Sequence, residues 1–250
     1  MQDRSILIYD TTLRDGTQGE GVSLSLQDKL NIAVRLSEIG IEMIEGGYPL
    51  SNEKDAMFFQ KAKELNLGSS LLAAFGMTRR RGMKASEDPG IAALLAAQTP
   101  VITIVGKSWD FHATEVLGVS LQENLDMIGE TVEYLSRHAQ IVYDAEHYFD
   151  GFRANSEYAL LAIETAPKQV PNGSSCAIPT ADHSLNKSPR SSVNRKPGSI
   201  QQVRVWESTA ITTATWRRLT PWLLSMPGAS KSKVQSMGLA NGVEMRICFV

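Results

Sequence analysis

Apolar and polar positions follow two alternating periods over the first two thirds of the chain. Short runs rich in Ile, Leu, Val and aromatic residues read as strands: "ILIYDTTL" from Ile6, "EMIEGGYP" from Glu42, "LLAAFG" from Leu71, "VITIVG" from Val101 and "QIVYDAEHYF" from Gln140. Between them the apolar residues recur at helical spacing. Ser25 is placed to cap a helix in "LQDKLNIAVRLSEIG", with Leu26, Leu30, Ala33, Val34 and Leu36 on the buried side and Gly40 as the stop. Further helices are predicted near 52–66, 88–97, 120–138 and 155–166. Five successive strand-helix units imply parallel strands joined by right-handed crossovers, in either a doubly wound sheet or a barrel.

The polar residues separate those two folds. Arg14, Asp15, Glu45, Tyr48, Asp110, His112, Asp144, Glu146 and His147 all fall at or just beyond strand C-termini, where a (β/α)8 TIM barrel carries its chemistry. No G-x-G-x-x-G follows the first strand, which argues against a dinucleotide site. The expectation is therefore an α/β fold: an incomplete TIM barrel of about five units.

Composition narrows the function. With 25 Lys and Arg against 27 Asp and Glu, the net charge is −2, which does not suggest a nucleic-acid partner. No apolar run approaches the roughly 20 residues that span a membrane, and the N-terminus lacks the pattern of a secretory signal, so a cytoplasmic location is expected. Cys176 and Cys248 have neither metal-type spacing nor the number for a disulfide framework.

These averages conceal a break. Residues 1–166 hold 14 Lys and Arg against 24 Asp and Glu, a balance of −10, whereas residues 167–250 hold 11 against 3, a balance of +8. Both cysteines and three of the four tryptophans lie after the break. Two compositions are joined near Ala166.

"YDTTLRDGTQ" offers a specific chemistry. A carboxylate beside a guanidinium at a strand end can hold a hard divalent cation while the Arg faces an oxygen that gains negative charge. Taken alone, the pair could equally be a surface ion pair before a Gly turn. It is followed in order by "IEGGYPLSNEKD", "AFGMTRR" and "YDAEHYFDGF", each at a strand end. Together these motifs resemble the metal-dependent TIM barrels that include 2-isopropylmalate, homocitrate and citramalate synthases, over residues 5–166. The last three look most like the citramalate synthase branch.

That resemblance implies an acyltransferase that condenses acetyl-CoA with a 2-oxo acid, pyruvate in the citramalate branch, as part of isoleucine and leucine biosynthesis. It implies a divalent metal, Mg, Mn or Zn, and a homodimer. Asp15 would be a metal ligand, Arg14 would bind the keto oxygen and stabilise its developing alkoxide, and Glu146 would act beside the substrate. Gln18, Glu45, Tyr48, His112 and Asp144 would line the substrate pocket. Read from the residues alone, His112 is as well explained as a structural hydrogen-bonding group, and His147 as positional. "TRRRGMK" could meet CoA phosphates or form a solvated basic loop.

The family pattern should continue with a sixth strand ending D-T-N-G, an H-x-H metal pair and a Gly-rich N-G-x-G-E-R-C-G-N-A loop. None is present in the residues as written. All three return when each ancestral codon is taken as the third base of one codon and the first two of the next. "SSCAIPTADHSL" then permits L-C-D-T-N-G-G-S-L-P, "VWESTAITTATW" permits V-G-I-H-S-H-N-D-G-D-L, and "SMGLANGVEMRIC" permits N-G-I-G-E-R-C-G-N-A-D-L. This implies a one-base deletion, or a two-base insertion, near residue 166. The domain expectation is a partial barrel over 1–166 and an out-of-frame, irregular tail over 167–250, unselected for either hydrophobic period. Strands 1 and 5 would be exposed, aggregation-prone edges, the metal would be held weakly, and the chain would be inactive. The alternatives are a 2-isopropylmalate synthase-like acyltransferase, or a non-catalytic fragment with a basic interaction tail.

Overall fold

Ser25 begins the first helix as its spacing predicts. In the computed structural model, which describes residues 6–19 and 21–168 and the strand segments 175–179, 207–208 and 245–249, Ser25 Oγ accepts from Asp28 N at 3.2 Å. Asp28 Oδ2 accepts from Ser25 N at 2.9 Å, a reciprocal cap. Helix α1 then runs Leu26–Glu38, and Gly40, with φ of 83°, turns the chain into the next strand. Asn52, Asp88 and Ser120 cap α2 (Glu53–Ala62), α3 (Pro89–Ala97) and α4 (Leu121–Ser136), each side chain accepting from a first-turn amide.

Strands β1 (Ile6–Asp10), β2 (Met43–Gly47), β3 (Leu71–Met77), β4 (Val101–Lys107) and β5 (Gln140–Glu146) lie side by side and parallel. They form half of a TIM barrel, with the helices on its outer side. Burial on both faces explains why "VITIVG" is an unbroken apolar run rather than an alternating one. Tyr9, Met43, Ala73, Val101 and Val142 form an inner cluster. The intervening Ile44, Leu72, Ala74, Ile102, Ile104, Ile141 and Tyr143 pack outward against Phe58, Phe59, Leu94, Ile128 and Val132 of the helices.

The fifth unit departs from its sequence pattern. "QIVYDAEHYF" reads as strand to Phe149, yet β5 ends at Glu146, and His147 takes a left-handed conformation with φ of 54°. That reversal starts α5 (Tyr148–Ala154), ahead of α6 (Ser156–Lys168). Gly151 lets α5 pack closely on the chain after β4, since a Cβ there would lie 2.8 Å from both Ser108 O and Trp109 Cα.

Three short strands are described within 167–250. β6 (Ser175–Pro179) pairs parallel with β5, β8 (Met245–Phe249) pairs antiparallel with β1, and β7 (Glu207–Ser208) pairs with β8. The sheet order is β6-β5-β4-β3-β2-β1-β8-β7. β1 and β5 are thus not the exposed edges that the sequence implied, because their outward N–H and C=O groups take up extended segments. The rest of 167–250 lies outside the described residues.

Candidate active site at the C-terminal ends of the strands

Directly after β1, Thr11 O accepts from the amides of Arg14 and Gly16, which folds "TTLRDG" into a tight turn and starts a 3-10 turn at Asp15–Gln18. The turn sends Arg14 back over the sheet. Its Nε donates to Glu45 Oε1 at 2.5 Å, its Nη1 donates to Asp15 Oδ1 at 3.0 Å, and its guanidinium carbon lies 3.9 Å from the centre of the Phe75 ring. Glu45, fully buried, also accepts from Tyr9 Oη, and that hydroxyl lies 2.5 Å from Thr103 Oγ1. Tyr48 meets Phe75 edge to face at 6.1 Å. Arg14, Asp15, Glu45 and Tyr48 are thereby brought together around one aromatic platform. Gln18 is exposed at the end of its turn.

A second group rises from β4 and β5. Lys107 and Glu146, opposite each other in register, form an ion pair, and Ser108 Oγ donates to Glu146 O at 2.6 Å. The His112 and His147 rings meet at 4.6 Å with Trp109 against both, at 4.8 and 6.3 Å. Burial lowers the pKa of His112, and His147 and Lys107 lower it further, against opposing pulls from Glu146 and Asp150. Asp144, buried, stands opposite Val105 two residues before Glu146 on the same face of β5. Both groups occupy the C-terminal ends of parallel strands.

Other candidates are tied elsewhere. Arg79 is buried between Glu123 at 2.9 Å and Glu130 at 2.5 Å, Arg81 Nη1 donates to Gly118 O, and Arg80 stands 4.0 Å from Asp88. "TRRRGMK" thus braces the β3 exit against α4 through Arg79. Lys107 and Tyr9 were missed in the sequence. Strand alternation holds the signal for both: each lies on the inward face, at a polar position among apolar ones.

Asp10 closes β1 fully buried, with Oδ1 and Oδ2 accepting from Thr12 N and Oγ1 at 2.9 and 3.0 Å. Burial pushes its pKa up to about 6; the Thr12 hydrogen bonds oppose that rise and the Glu45 charge adds to it. The folded chain therefore holds this proton more tightly than the unfolded chain, so the Asp10 contribution to stability falls as pH rises from about 4 to about 6. Asp10→Asn should flatten that decline by about 1–3 kcal/mol, read from urea midpoints across that range. An unchanged slope would contradict the assignment.

The described residues do not fit a resident metal. Asp15 is a single carboxylate already paired with Arg14, and no group of three or more His, Cys, Asp or Glu among the described residues could hold an ion. Nor does any helix among the described residues have the length and apolar character to cross a membrane.

Residues 5–174 match the HMGL-like family. The chain belongs to the HMGL-like family. An (R)-citramalate synthase of Aquifex aeolicus is 57% identical over 164 residues, which cover 65% of this chain and 31% of that protein. A 2-isopropylmalate synthase of Sulfolobus acidocaldarius is more distant, at 31% identity over 169 residues that cover 66% of this chain and 40% of that protein. This HMGL-like chain thus spans about a third of the length of its citramalate synthase relative. The Bacillus subtilis HMG-CoA lyase structure superposes with a TM-score of 0.60 at 15% identity, covering 96% of this chain and 88% of that one, which places the two in the same fold.

Proposed function

We propose that residues 5–166 descend from, and retain the substrate-facing half of, an acyltransferase that condenses acetyl-CoA with pyruvate to give citramalate and CoA. The observation that carries this is the seat of Arg14: a guanidinium fixed by Glu45, backed by Phe75 and set at the end of β1. Such a group is suited to an oxygen that becomes negative.

In the reaction a base removes a proton from the acetyl methyl, and the resulting carbanion equivalent forms a C–C bond to the keto carbon of pyruvate. The carbonyl electron pair moves to oxygen, where Arg14 stabilises the alkoxide until it is protonated. Water then cleaves the thioester and releases the CoA thiol. Glu146, held by Lys107 at the end of β5, is the group we assign to work beside the substrate. Gln18, Tyr48, His112 and Asp144 complete the proposed pocket. The divalent metal of the resemblance finds only Asp15 among the described residues, so no step here is routed through it.

The second half of the proposal is that the reading frame changes near residue 166, removing the H-x-H pair and the Gly-rich loop. The chain as written should release no thiol from acetyl-CoA with pyruvate and Mg²⁺ or Mn²⁺. Restoring one base near that position, with the downstream frame, should recover release, and Arg14→Ala in the restored protein should cost about 10²–10³ in rate. An inactive restored protein would overturn the family chemistry; turnover by the chain as written, abolished by Asp15→Ala, would overturn the frame argument.

A further inference from the structure

β2 carries an irregularity at the point where it delivers Glu45. Glu45 is opposite Ala73 and Gly47 is opposite Ala74, so one extra residue, Gly46, sits in β2 between two consecutive partners. Such a bulge bends the strand and re-aims the neighbouring side chain. It also weakens the ladder that would otherwise fix it, so something else must hold Glu45 against Arg14.

That support comes from behind the sheet. Lys29 of α1 is buried at 2% exposure, and its Nζ lies 2.5 Å from Asp55 Oδ1 on α2. Asp55 Oδ2 accepts from Tyr48 N at 3.0 Å, and Asp55 N is held by the Asn52 cap at 2.8 Å. Between them passes Gly47, with φ of 147°, where a Cβ would lie 2.6 Å from Asp55 Oδ2 and 2.9 Å from Lys29 Nζ. Burial lowers the Lys29 pKa, against the pull of Asp55. A buried ion pair is a costly way to join two helices, since apolar residues there would serve stability as well or better.

We infer that the Lys29–Asp55 ion pair is a positioning device: it pins the backbone just after the β2 bulge and so fixes Glu45, and through Glu45 the Arg14 guanidinium. This rests on the role proposed for Arg14, but its test does not. Lys29 and Asp55 are positioning residues, since neither reaches the proposed pocket except through Tyr48 N and Glu45.

The readout is the Arg14 Nε–H resonance of the full 250-residue chain, assigned by its loss in Arg14→Lys. Its charge-assisted bond to the buried Glu45 carboxylate should make it slow to exchange and shifted downfield. In Asp55→Asn the resonance should move upfield and exchange at least about tenfold faster, while amides of β4 and β5 such as Ile104 and Val142 stay within about twofold. Lys29→Met should do the same. An unchanged Arg14 resonance in either folded variant overturns the inference, as does an equal loss of protection across β4 and β5, which would make the pair merely structural. Should neither variant fold, the unaltered chain decides: a Tyr48 amide protected at least about tenfold beyond Leu50 supports the clamp, and an unprotected one overturns it. Because no turnover is measured, failure of the proposed reaction would leave this result standing.

Discussion

Glu45→Ala should destabilise the chain by about 3–5 kcal/mol, the cost of removing one partner of a buried charge pair. Glu45 is fully buried and takes Arg14 Nε on one oxygen and Tyr9 Oη on the other, while Tyr9 also meets Thr103. Alanine would strip the guanidinium of its shortest carboxylate contact, at a site where Arg14 is only 12% exposed. Asp15 and Phe75 remain, at 3.0 and 3.9 Å, so the loss should stop short of unfolding. Urea denaturation should show a lower midpoint with an unchanged slope; a midpoint within the error of the unaltered chain would mean that the Arg14–Glu45–Tyr9 network contributes nothing.

Phe58→Ala should cost a similar amount, about 3–5 kcal/mol, for an unrelated reason. The fully buried ring fills the space left open by Gly46: a Cβ on Gly46 would lie 2.4 Å from Phe58 Cε1. It also packs edge to face on Phe59 at 5.3 Å and lies 5.1 Å from Lys29 Nζ. Glycine and ring are thus two halves of one fit. Gly46→Ala alone should overpack the site by about 1–3 kcal/mol, but the double variant should lose less than the sum of the two, because the added methyl then enters the vacated space. Strict additivity in denaturation midpoints would show that the two residues are not coupled.

The helices were legible wherever a local hydrogen bond decides them. Ser25 and Asp28 declare the start of α1 by their spacing, and the structure pairs them. His147 could not be read that way. "VYDAEHYF" keeps the strand character of its apolar and aromatic residues past Glu146, and the helix that follows His147 instead packs, through Gly151, on the backbone of Ser108 and Trp109, a contact distant in sequence.

The candidate site divides along the same line. Arg14, Asp15, Glu45 and Glu146 were visible as polar residues at strand ends, because that position is a property of the pattern itself. Their partners were not. Lys107 faces Glu146 only through the register of β4 on β5, and Tyr9 reaches Glu45 only across two strands. Lys29 did leave a trace: it interrupts the apolar stripe of α1 between Leu26 and Ala33, a charge where burial is expected. Only the fold supplies Asp55 as its reason.

The antiparallel strand β8 has a consequence for assembly. Ile6, Leu7, Ile8, Tyr9 and Asp10 are each matched, in order, by Phe249, Cys248, Ile247, Arg246 and Met245, so the whole length of β1 is taken on that side. A strand edge has single occupancy. A closed barrel needs a parallel neighbour for its first strand there, and any such strand, from this chain or another, would first have to displace five consecutive antiparallel partners. The seam of this half-barrel therefore behaves as a competition between two strand directions for one row of hydrogen-bonding groups, and whichever strand holds that row decides whether the circle of strands can close.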